Sequence, residues 1–103
     1  MALAVSWWER RDGADRDALG RAALEHCRAL RQTEGMRGVR FYWRGPDTLV
    51  LVEDVASLDV PGEAMATDQA RTLFALADLA RRTGSERWQD PGQGEAFYRL
   101  AGR

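Results

Sequence analysis

The stretch Val39–Val55, VRFYWRGPDTLVLVEDV, reads as a β-hairpin closed by Gly45-Pro46-Asp47-Thr48. Pro46 supplies the fixed φ wanted at the second position of a type I turn, and Asp47 suits the third. That turn predicts a register with Gly45 opposite Thr48, Arg44 opposite Leu49 and Trp43 opposite Val50. Period-two alternation then gives the hairpin two unlike faces. One carries Val39, Phe41, Trp43, Val50 and Val52 and is expected to lie under helices. The other carries Arg40, Tyr42, Arg44, Leu49, Leu51 and Glu53, with Arg40 opposite Glu53.

Upstream, Ala2–Glu9 (ALAVSWWE) is strand-like, with Leu3, Val5 and Trp7 on one side and Ala4, Ser6 and Trp8 on the other. From about Ala14 to Glu34 the period becomes helical. Leu19, Ala22, Ala23, His26 and Leu30 form its apolar stripe, Asp12 and Asp15 stand where a cap is wanted, and Gly35 ends it. Gly20 lies inside this helix and implies close approach to a neighbour.

Downstream, Pro61-Gly62 breaks an irregular stretch, and Thr67 or Asp68 caps a second helix expected to reach about Thr83, before Gly84. Its main ridge is Ala70, Leu73, Phe74, Ala77 and Ala80. A second ridge, Thr72, Leu76, Leu79 and Thr83, calls for a partner of its own. Gly84–Glu95 reads as a loop carrying Trp88, and Ala96–Leu100 as a last strand.

The order β-α-β-β-α-β in 103 residues predicts a single α+β domain spanning residues 1–103. Its economical form is ferredoxin-like: an antiparallel sheet with both helices on one face. Tyr42, Leu49 and Leu51 would then stand on a bare sheet face too apolar for solvent. A homodimer through Arg40, Tyr42, Leu49, Leu51 and Glu53 is the expected remedy.

Composition narrows the function classes. Apolar content of 45% and charged content of 30% are those of a globular protein, and a formal net charge of -1 argues against nucleic acid as the partner. All 15 cations are arginine, and lysine, isoleucine and asparagine are absent. Cys27 has no second cysteine to pair with, so a reducing cytoplasm is the expected location. No apolar run approaches a membrane span. One histidine and one cysteine side by side in a helix make no metal site, and Gly92-Gln93-Gly94 lacks the strand-to-helix setting of a phosphate loop.

His26 is the only histidine and lies on the core stripe of its helix. It reads either as a general base facing an aromatic cleft or as a half-buried structural histidine held by a backbone carbonyl or carboxylate. Cys27 reads as core filler. Trp7 and Trp43 are most simply core, while Trp8 and Trp88 divide evenly between packing and binding.

In topology, length and tryptophan placement the chain resembles the dimeric α+β barrel superfamily. That group includes antibiotic biosynthesis monooxygenase-like proteins, haem-degrading monooxygenases and small polyketide cyclases of the tetracenomycin type. The resemblance implies a ligand cleft between sheet and helices, lined here by Trp7, His26, Trp43 and Phe74 and lidded by Trp88. It also implies that the haem-degrading branch does not apply, since that branch uses an asparagine and a histidine on the second main helix. What remains is a cofactor-independent oxygenase or cyclase acting on aromatic polyketides, with His26 as its catalytic residue. The competing reading is a non-catalytic dimeric module that binds a small apolar ligand or a partner protein.

Overall fold

A computed structural model describes residues 2–55 and 67–89. Strand β1 (Ala2–Arg10) leads into helix α1 (Arg16–Arg31), strands β2 (Met36–Trp43) and β3 (Thr48–Val55), helix α2 (Thr67–Leu79) and strand β4 (Ala80–Gln89). The strands form one antiparallel sheet in the order β2-β3-β1-β4. This is the ferredoxin-like α+β arrangement expected from the sequence.

Helix α1 begins where its cap can work: the Asp15 carboxylate accepts a hydrogen bond from the Ala18 amide at 3.1 Å. Asp17 and the pair Arg28 and Arg31 complement the two ends of the dipole. Leu19, Ala23, His26, Cys27 and Leu30 are its buried residues, at the helical spacing seen in the sequence. Gly35, with φ of 86°, makes the turn into β2.

The hairpin is paired one residue away from the expected register. Trp43 lies opposite Leu49, Tyr42 opposite Val50 and Phe41 opposite Leu51. Arg44 donates its amide to Thr48 at 2.7 Å, so Gly45, Pro46 and Asp47 form the loop, with Gly45 at φ 81°. The cause lies outside the loop. Arg10 donates its backbone amide to the Asp47 carbonyl and two guanidinium bonds to the Asp47 carboxylate, while Arg16 bonds the Pro46 carbonyl. These long-range contacts select a turn that local propensity does not.

A one-residue shift turns every side chain of β3 over. Leu49 and Leu51 are therefore core residues, 0% and 2% exposed, under the helices with Val39, Phe41 and Trp43. Glu53 joins that inward face, opposite Val39 rather than Arg40. Of the five residues expected on the bare face, Arg40 and Tyr42 remain there, now with Val50 and Val52. Strand β1 follows suit: Trp8 pairs with Leu49 and Trp7 with Val50, which sends Trp8 inward and Trp7 outward.

The second helix stops four residues early. At Leu79 its carbonyl accepts the Arg11 amide, and the chain passes directly into β4, which Ala80 opens opposite Arg10. Ala80–Thr83 and Trp88, expected in a helix and a loop, are thus strand residues. Pairing with β1 outweighs the helical preference of Ala80-Arg81-Arg82. Thr72 and Leu76 are buried while Phe74 is 68% exposed, so the ridge expected to be spare faces the core. The expected strand Ala96–Leu100 lies outside the described residues. Among the described residues no helix is long and apolar enough to cross a membrane.

Candidate functional site

The inward face of the sheet can be read in rows across β3, β1 and β4. Leu49, Trp8 and Arg82 make one row; Leu51, Ser6 and Ser85 the next; Glu53, Ala4 and Arg87 the third. Along β1 the middle of the face is floored by the small side chains Ala4 and Ser6. Trp8 stands at one end of this floor, its indole N–H donating to the Ser6 hydroxyl at 2.9 Å. Glu53 and Arg87 flank it at the other. Helix α1 packs on α2 and over β2, and α2 meets β4, so the helices bracket the β1 floor.

Glu53 is the unusual member. Its carboxyl shares a face with Val39, Leu51 and Cys27, all 2% exposed or less. Burial raises its pKa above the ordinary carboxylate value, and Arg87 pulls the other way. Burial also pushes the Cys27 thiol up to about 11, with Arg31 lowering it and Glu53 raising it further. Cys27 is therefore a thiol at physiological pH and unsuited to nucleophilic work.

His26 sits in the seam between the helices, 4% exposed. Its Nδ1 is 2.9 Å from the Thr72 hydroxyl, which itself donates to the Gln69 carbonyl at 3.1 Å. A hydroxyl has one proton, so with that proton on Gln69 the histidine donates and Thr72 accepts. Nδ1 carries the hydrogen and Nε2 the lone pair. Burial lowers the His26 pKa, which keeps the ring neutral.

The four aromatic residues expected to line one cleft are dispersed. Trp43 lies inward under α1, with the Arg16 guanidinium 3.8 Å from its ring centroid and Gly20 against its edge. Trp7 is on the opposite face of the sheet, against Gly84. Trp88 shares that outer face, half exposed, its indole bonded to Glu86 at 2.9 Å. Phe74 points largely to solvent. Trp8, Ser6 and Arg87 take their places on the inward face. Which parity of β1 faces the helices is settled only by its partners, because Trp7 and Trp8 are equally apolar.

A hollow of about 300 Å³ opens at the far end of β1, lined by Glu9, Arg10, Arg11, Asp12 and Arg81. Its arginines are engaged by Asp47, the Ala77 carbonyl and Glu9. Among the described residues no three His, Cys, Asp or Glu side chains gather as a metal site would require.

Several solved structures share this arrangement. SnoaB, a cofactor-independent oxygenase from Streptomyces nogalater, superposes with a TM-score of 0.73 over 86% of this chain and 91% of its own, at 11% identity. The chain has the fold of the antibiotic biosynthesis monooxygenase-like proteins. A candidate antibiotic biosynthesis monooxygenase from Deinococcus radiodurans matches with a TM-score of 0.71, covering 87% of this chain and 92% of its own at 13% identity. Rv0793 from Mycobacterium tuberculosis matches at 18% identity and a TM-score of 0.70, over 86% and 93% of the two chains. No family model and no curated protein matches the sequence.

Proposed function

We propose that the chain is a small cofactor-independent oxygenase or cyclase-like enzyme that takes a planar aromatic, polyketide-type molecule into the cleft between sheet and helices. The observation that carries this reading is the helix-facing side of β1, where the small residues Ala4 and Ser6 lie between Trp8 at one end and the row of Glu53 and Arg87 at the other, on a fold shared with SnoaB. Such a site combines apolar area with a few convergent polar groups. His26 enters this reading as a neutral residue in the helix seam, with Nε2 the nitrogen left for a substrate proton.

The outer face of the sheet supports a homodimer. Leu3, Val5, Trp7, Val50 and Val52 share it with Tyr42 and Trp88, which are 52% and 50% exposed. A second copy laid face to face would cover this apolar surface. The same observation sustains the second reading, a dimeric binding module without catalysis. A cytoplasmic location fits the lone buried thiol of Cys27.

The deciding experiment incubates the purified protein with anthrone- and naphthol-type phenols in the absence of added metal or cofactor. Binding is followed by tryptophan fluorescence and turnover by oxygen uptake and product mass. The oxygenase reading expects both. Binding with neither oxygen uptake nor cyclised product selects the module.

A further inference from the structure

We propose that the hollow at the far end of β1 binds a small zwitterion of the free α-amino-acid type, with Arg11 holding its carboxylate and Asp12 its ammonium group. This site is separate from the cleft between sheet and helices and does not depend on how that cleft is used.

The first argument is the space. The hollow measures about 300 Å³, the lower end of the range for small-molecule pockets, and every residue lining it is charged: Glu9, Arg10, Arg11, Asp12 and Arg81. Such walls offer an apolar ligand nothing and a polar one both donors and acceptors.

The second is which of these charges are already engaged. Arg10 uses its whole guanidinium, Nε and Nη2 donating to the Asp47 carboxylate and Nη1 to the Ala14 carbonyl. Arg81 and Glu9 lie 3.5 Å apart and offset one another. Arg11 donates only through Nε, to the Ala77 carbonyl at 2.9 Å. The edge formed by its two Nη groups stays open, and that edge fits a carboxylate through two parallel hydrogen bonds. Asp12 has no hydrogen-bond or ion-pair partner among the described residues. One open cation and one open anion therefore line the same hollow. A simple anion would meet Arg11 but be repelled by Asp12, and a simple cation the reverse. A ligand carrying both signs satisfies both.

The third is that both groups are set on a pinned turn. The Arg11 amide donates to the Leu79 carbonyl at 2.9 Å, the Ala14 amide to the Arg11 carbonyl at 3.0 Å, and Gly13 closes the turn at φ 79°. Helix α2 has no basic residue in its last turn, so Arg11 on the Ala77 carbonyl supplies the cation that favours its C-terminal end. The guanidinium is thus oriented by the fold itself, which lowers the ordering entropy lost on binding.

The test follows backbone amide NMR signals while L-glutamine is added. N-acetyl-L-glutamine, which lacks the ammonium group, and L-glutaminamide, which lacks the carboxylate, are titrated alongside. L-glutamine is expected to move the Arg11, Asp12 and Gly13 signals saturably, and each analogue to bind roughly 10-fold more weakly or worse. Asp12→Asn should weaken L-glutamine by a similar factor without weakening N-acetyl-L-glutamine, and Arg11→Gln should abolish binding of both. Absence of a saturable shift with L-glutamine overturns the site. N-acetyl-L-glutamine binding as tightly as L-glutamine overturns the zwitterion, since the hollow then takes any carboxylate. Should Arg11→Gln fail to fold for want of its α2 contact, Asp12→Asn decides, and L-glutamine binding to it as tightly as to wild type overturns the assignment.

Discussion

Nδ1 of His26 and the hydroxyl of Thr72 lie 2.9 Å apart, and this bond ties α1 to α2 across a buried seam. Thr72 is 3% exposed and hands its own proton to Gln69, so the chain of donors runs from His26 to a backbone carbonyl of α2. Gln69 in turn donates to Thr33, just beyond α1. The helices are thus joined by polar bonds as well as by Leu76 and its neighbours.

Removing one end of that bond should be costly. Thr72→Val keeps the volume but leaves the His26 N–H without an acceptor, and should destabilise by about 1–3 kcal/mol. His26→Ala adds a cavity to the lost bond and should cost more, on the order of 2–5 kcal/mol. Urea unfolding of both variants checks the order. Thr72→Val as stable as wild type would mean that the bond contributes nothing.

The same histidine gives stability a pH dependence of known sign. Its folded pKa lies below the ordinary 6.5, so the unfolded chain binds more protons as pH falls past that value. Stability is therefore fully present above about 6.5 and declines below it, until the folded value is passed. Glu53 works oppositely: its raised folded pKa means that stability falls as pH rises from its ordinary 4.5 through the folded value. His26→Gln should flatten the decline just below 6.5 in chemical denaturation at stepped pH. A slope unchanged by the substitution would contradict the assignment.

Element types were legible in the sequence wherever periodicity was long. The stripe Leu19–Ala23–His26–Leu30 and the strand runs Ala2–Glu9 and Thr48–Val55 needed no tertiary information. Parity was not legible. The faces of β3 depended on whether the loop held Gly45-Pro46-Asp47 or began one residue later, and Arg10 and Arg16, 37 and 30 residues away, decided that. Glu53 was consequently expected at a subunit interface and stands on the helix-facing side of the sheet instead. Similarly, Ala80–Thr83 continues the helical pattern of α2 and becomes strand because β1 is there to pair with it.

Gly20 offers a test of packing on the inward side. It lies mid-helix, where glycine costs about 1 kcal/mol relative to alanine. A Cβ built there would sit 3.7 Å from the Trp43 ring, an ordinary contact. Gly20→Ala should therefore raise stability by roughly 0.5–1 kcal/mol. Gly20→Leu should lower it, since the larger side chain must displace Trp43 from beneath Arg16. Thermal melts of the pair, read against tryptophan fluorescence, distinguish the two directions.

The outer sheet face carries the prediction about assembly. Val52 pairs with Val5 on one side and Arg40 on the other, near the middle of a surface formed by Leu3, Trp7, Tyr42, Val50 and Trp88. Beside it, one carboxylate oxygen of Asp54 is buried with no hydrogen-bond partner among the described residues, while Arg40 is exposed. A second copy packed face to face would cover this surface. Val52→Arg places a charge at the centre of that contact without touching the helix-facing core. It should convert dimer to monomer by light scattering at micromolar concentration while circular dichroism stays unchanged. Leu51→Arg, one residue away but pointing inward, should instead unfold the chain, because it buries an unpaired guanidinium against Leu19 and Leu76. Wild type that is monomeric under these conditions would refute the dimer, and a reversal of the two variants' behaviour would refute the register.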